Sequence, residues 1–209
     1  CRIIVAVTFI FSGFVKAIDP IGTQYKLQDY LGAIGMAGIL PNWTLLAVAV
    51  FLAAIEFCIG IFLLFAIQRR LISKLTVAFM AFMTMVTMWI VVADPVKDCG
   101  CFGDALHLTN TETLIKNIVL LVCSFAIMYR PLAMFRFVSK SNQWIVTNYT
   151  IVFILVSSGL SLYYLPIFDF RPYHIGVNIP RGMEIPKGAK LPQFKTTFIM
   201  EKNGQRKEF

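Results

Sequence analysis

Two cysteines one residue apart, Cys99 and Cys101, stand in the run Asp98-Cys99-Gly100-Cys101-Phe102-Gly103-Asp104, between two long apolar stretches. Thiols at this spacing can close on each other, and the glycine between them frees the backbone for the tight conformation that closure requires. So small a ring is strained and easily reduced, which suits electron exchange better than stapling. Asp98 and Asp104 raise the thiol pKa by like-charge repulsion and Lys97 lowers it, so the sign of the net shift is not readable from the sequence. The alternatives are a structural disulfide or two idle thiols. Metal binding is the rival chemistry: Cys99, Cys101 and His107 offer soft ligands for Cu(I) or zinc. The spacing is tighter than structural zinc pairs use and one histidine lies in reach, so no metal is assigned.

Three further residues carry unusual chemistry for their setting. Glu56 falls mid-way along an apolar run, where a carboxylate must face a protein interior and be protonated or paired. A proton relay accompanying redox is one reading, and a helix-to-helix hydrogen bond is the other. Lys16, near the end of the first apolar run, is the candidate partner, with Glu56 deeper. Cys58 and Cys123 lie inside other apolar runs at comparable depth; each reads as a small hydrophobe, with an intramembrane relay pair as the alternative. The Thr84 and Thr87 hydroxyls can bond back to their own helix.

The elements that position these residues follow from composition. Of 209 residues, 58% are hydrophobic and 14% charged, and the mean hydropathy is +0.74. Soluble domains are about one quarter charged, so the chain is read as an integral, all-α membrane protein. The net charge of +8 is scattered over loops and a tail without a compact basic and aromatic face, which excludes nucleic acid as a partner. Five stretches approach the length of a spanning helix: Arg2 to Ile18, Trp43 to Ile67, Leu71 to Ala93, Glu112 to Tyr129 and Ile145 to Leu165. The first stops at Asp19-Pro20, and the mixed segment Ile21 to Pro41 is expected to form a short amphipathic helix along the interface. Thr109-Asn110-Thr111-Glu112 is a capping box that fixes the start of the fourth.

Arg69, Arg70 and Lys74 surround one turn and Arg130, Arg136 and Lys140 fill another without an acid, which puts both turns, and the amino terminus, in the cytoplasm. The Cys-Gly-Cys loop and everything after Leu165 are then outside, in the periplasm of a bacterial inner-membrane protein. The tail is polar and proline-rich. Its segment Phe194 to Phe209 reads as strand, turn and strand around Asn203-Gly204, the expected entrance to an external β-containing domain.

Ser12-Gly13-Phe14-Val15-Lys16-Ala17-Ile18-Asp19-Pro20, Ile55-Glu56-Phe57-Cys58-Ile59-Gly60, the Asp98 to Ala105 loop, Leu108-Thr109-Asn110 and Lys116-Asn117 together resemble the DoxX superfamily in its MauE-like branch. The resemblance covers roughly Arg2 to Tyr129. It implies a four-helix transmembrane bundle over residues 1–129, related in style to membrane thiol-disulfide proteins, with Phe102 and Gly103 belonging to its most specific motif. Residues 130–165 then add a cytoplasmic turn and a fifth spanning helix. Residues 166–209 are a periplasmic linker and the start of a thioredoxin-like domain, as some members carry. The resulting expectation is a redox protein whose Cys99 and Cys101 exchange disulfides with a thioredoxin-like domain or client, in the class of thiol-disulfide oxidoreductases. Asp98, Gly100, Asp104, Lys16 and Glu56 are supporting residues. Quinone is the cofactor the superfamily raises, but the Cys-x-x-Cys and shuttle pairs of quinone-linked disulfide generators are absent from the sequence. The competing expectations are a non-enzymatic anchor of a larger envelope complex and a copper- or zinc-binding loop.

Overall fold

A computed structural model describes residues 1–36, 38–93, 100–103, 105–106, 108–164, 168, 176–178, 180, 199–202 and 205–208. Among the described residues six long α-helices follow in chain order: α1 (Arg2–Ile18), α2 (Pro20–Ala33), α3 (Asn42–Phe65), α4 (Arg69–Ala93), α5 (Asn110–Tyr129) and α6 (Gln143–Tyr163). Each of α3, α4, α5 and α6 is long and apolar enough to cross a membrane, and α1 with α2 forms a bent pair that passes the same test. The all-α membrane class is therefore the observed one.

Polarity is distributed as lipid demands. Large apolar side chains such as Phe51, Met85, Val92, Val122 and Leu155 lie on the outside, while Ser12, Lys16, Glu56, Thr76, Thr87, Asn117 and Ser124 are buried. With hydrocarbon outside, polar groups are cheapest where they bond one another. Thr76, Thr84, Thr87 and Ser124 return their hydroxyls to the carbonyl four residues back, and Asn117 Nδ2 donates across to Thr87 Oγ1 at 3.1 Å, joining α5 to α4.

The main core is shared by α1, α3, α4 and α5, through Val5, Phe9, Ile59, Leu63, Ile72 and Leu120. A second cluster, Ala17, Ala53, Phe57 and Ile154, seats α6 against α1 and α3. The α1–α3 contact is unusually close. A Cβ on Gly13 would lie 2.5 Å from the Phe57 amide nitrogen, and one on Gly60 would lie 2.7 Å from that of Ile10. Two helices meeting backbone to backbone in this way rely on small residues at the crossing.

The α1–α2 break lies where Asp19-Pro20 predicts it. Pro20 has no amide hydrogen to continue α1, and the Asp19 carboxylate accepts from Gly22 N at 2.9 Å, capping α2. The chain turns by 97° there. The buried residues of α2 are Pro20, Thr23 and Gln24, and its apolar side chains Leu27 and Tyr30 line the cavity beside Cys101. The Thr109–Glu112 capping box is formed in both directions. Between α3 and α4 the chain reverses through Ala66 and Gln68 at positive φ, a turn without glycine.

The chain divides into two compact units, residues 1–171 and 172–209. In the second unit, strands β1 (Ile199–Lys202) and β2 (Gln205–Glu208) pair antiparallel with Lys202 opposite Gln205, a register that leaves a two-residue connection. Asn203 and Gly204 themselves lie outside the described residues.

Candidate functional site

The α1–α3 crossing brings the polar residues of two helices to one point. Ser12 and Lys16 are four residues apart on α1 and so share a face, and that face meets Glu56 on α3. Lys16 Nζ lies 2.7 Å from Glu56 Oε2, with both side chains only 3% exposed. Glu56, read from the sequence either as a proton relay or as a helix-to-helix hydrogen bond, is ion-paired across the two helices. The difference in depth along the two helices is bridged by the long lysine side chain.

A lysine ammonium has three protons, and each finds an acceptor here: Glu56 Oε2 at 2.7 Å, Ser12 Oγ at 2.8 Å and the carbonyl of Cys101 at 2.8 Å. Ser12 Oγ lies 2.7 Å from both Glu56 Oε2 and the Cys101 carbonyl. Its single proton serves one of these two at a time, which links the carboxylate to the loop through one hydroxyl.

The described part of the loop, Gly100 to Gly103, dips into the bundle, and Cys101 and Phe102 are each 8% exposed. Cys101 packs with Ile90, Met83, Val86 and Tyr30. Phe102 lies against Phe11, ring centroids 5.5 Å apart, and Lys116 Nζ sits 4.1 Å above its ring centroid, a cation–π contact. Gly100 and Gly103 both have positive φ, and a Cβ on either would press on Lys26 or Val15 at 3.1 Å. Gly103 N closes the turn onto Gly100 O at 3.0 Å. Both glycines are needed for the inward path, because side chains disfavour that backbone region.

Cys101, Gly100, Phe102, Gly103, Lys16 and Glu56 are brought together. Cys99, Asp98, Asp104 and His107 lie outside the described residues, and with them the Cys99–Cys101 pairing and the soft-ligand set. Cys58 and Cys123 are half-buried free thiols, and Cys123 packs against the main core. Ser12 was legible only as a motif member; its i, i+4 spacing to Lys16 was the available signal. The same holds for Asn117, whose partner Thr87 reads in isolation as a back-bonded threonine.

Two cavities meet Cys101. One, of about 30 Å³, is bounded by Ser12, Glu56, Phe102, Lys116 and Asn117 and has room for one or two waters. The other, of about 270 Å³, is walled by Leu27, Leu52, Phe82 and Val86, with Lys16 and Gly100 at its loop end. It is apolar almost throughout and close to the lower bound of ordinary ligand pockets.

Fold and site together define a helical integral membrane protein in which a buried ion pair between two helices grips a cysteine-bearing loop. Residues 1–130 match the family model described as methylamine utilisation protein MauE, and the chain belongs to that family. No curated protein and no solved structure matches it.

Proposed function

We propose that the chain is the membrane-embedded member of a thiol–disulfide exchange that serves methylamine utilisation, working through Cys99 and Cys101. The observation that carries this reading is the grip of Lys16 and Ser12 on the Cys101 carbonyl. Idle thiols need no such support, and a pair meant for exchange needs a fixed attack geometry. Because Cys101 is 8% exposed, an incoming protein disulfide has poor access to it, and Cys99 is assigned the first attack.

The Cys99 thiolate attacks one sulfur of the partner's disulfide, forming a mixed disulfide and releasing the partner's other sulfur as a thiolate. The Cys101 thiolate then attacks Cys99, closing the Cys99–Cys101 disulfide and freeing the partner as a dithiol. Two electrons pass to the partner, and the reverse sequence oxidises it. The partner is a thioredoxin-like domain or a disulfide-bearing client on the periplasmic side. The basic turns 69–74 and 130–140 at the other end of the bundle support that side. Were a quinone the second electron carrier, the 270 Å³ cavity beside Cys101 has the apolar walls it would need. Lys16, its three protons engaged, would not be its hydrogen-bond donor.

Single Cys99→Ser and Cys101→Ser variants, acid-quenched in cells and run on non-reducing gels, test the scheme. Cys101→Ser is expected to accumulate a covalent partner through Cys99, and Cys99→Ser to accumulate none. Loss of neither function nor assembly in the double variant would instead assign the chain an anchoring role.

A further inference from the structure

At the end of the bundle away from the Cys101 loop, Arg69, Arg70, Arg136 and Lys140 surround an open pocket of about 430 Å³, with Leu71 and Leu132 completing its walls. Arg2 and Arg130 stand on the adjoining segments. Neither basic turn carries an acid of its own: no Asp or Glu occurs between Glu56 and Asp94 or between Glu112 and Asp169.

The cationic rim is built, not loose. Arg69 donates from one terminal nitrogen to the carbonyls of Leu132 and Met134, at 2.7 and 2.8 Å, and Arg2 donates to the Phe135 carbonyl at 2.8 Å. These bonds clamp the 131–137 loop onto α4 and α1. They leave the Nε atoms of Arg69 and Arg136 buried with no hydrogen-bond partner among the described residues. A buried donor without an acceptor is costly, and two of them in neighbouring guanidinium groups favour a ligand with several anionic oxygens. Around this polar centre Leu71, Leu132, Phe135 and Phe137 are more than half exposed. A cationic centre with an apolar collar at a span end matches a molecule that is anionic at its head and hydrocarbon beyond it.

We propose that this pocket binds the phosphodiester headgroup of an anionic phospholipid, Arg136 and Lys140 meeting the phosphate and Leu132 and Phe135 the first acyl carbons. The assignment is independent of the redox reading, since it uses none of the same residues. It fixes the 131–137 loop, and with it the spacing of α4 and α5, to the lipid composition of one leaflet.

The test uses the full chain in dodecylmaltoside, titrated with dioleoyl-phosphatidylglycerol or dioleoyl-phosphatidylcholine and read by native mass spectrometry. Phosphatidylglycerol should be retained preferentially. Arg136→Gln with Lys140→Gln should weaken its retention by about 25-fold, at roughly fivefold per cation removed. Lys202→Gln with Arg206→Gln, which removes the same charge elsewhere, should leave it unchanged. Neither pair disturbs the Arg69 clamp, and α-helical circular dichroism checks folding. Equal retention of the two lipids, equal loss in both double variants, or displacement by millimolar inorganic phosphate would overturn the proposal.

Discussion

Replacing Lys16 by methionine should cost the bundle about 3–5 kcal/mol, the usual penalty for stranding one member of a buried ion pair. Glu56 would keep its place between α1 and α3 with Ser12 Oγ as its remaining hydrogen-bond partner among the described residues, and the Cys101 carbonyl would lose its bond from the ammonium. Glu56→Gln should be milder, because a neutral amide strands the lysine charge but still offers an oxygen. The double replacement Lys16→Met with Glu56→Met should recover much of the loss, since paired apolar groups of similar volume fill such sites at little or no penalty. Unfolding in detergent micelles, followed by tryptophan fluorescence, measures the cycle. Singles within about 0.5 kcal/mol of wild type would match an exposed ion pair and would contradict a buried one.

Gly13→Ala should destabilise by about 3 kcal/mol, at the upper end of overpacking penalties, although alanine is the better helix former. Its Cβ would meet Phe57 N, Phe57 Cα and Ala53 O at 2.5 to 2.9 Å. All three are backbone atoms, so no side chain can rotate aside and α1 must move off α3. That movement also stretches the Lys16–Glu56 contact, which makes the two replacements non-additive. Gly159→Ala on α6 is the control: nothing lies within 4 Å of its Cβ position, and it should be neutral or stabilising by up to about 1 kcal/mol. Equal effects at the two glycines would refute the close crossing.

Much of this arrangement is legible from residues alone, for identifiable reasons. Long apolar runs bounded by Asp19-Pro20 and by the Thr109–Glu112 box delimit helices because proline and capping act locally. Glu56 had to be protonated or paired because an isolated ion in an apolar interior is too costly, and Lys16 was the candidate partner. What local signals did not carry is how helices approach. The inward path of Cys101 depends on positive φ at Gly100 and Gly103, which glycine permits without requiring. The α3–α4 reversal uses Ala66 and Gln68 in a conformation that neither residue advertises. Ser12 gained its role only when the α1–α3 crossing set it between a carboxylate and a loop carbonyl.

The central claim is that Cys99 and Cys101 exchange electrons, and the most direct measurement is their redox state in intact cells. Thiols are trapped in acid, tagged with a maleimide of known mass and compared before and after a mild oxidant. A mixed population that shifts towards the disulfide with oxidant and returns on its removal is the predicted result. A pair that stays reduced whatever the oxidant, above all one shielded by bound copper or zinc, would contradict it and make the loop a metal site.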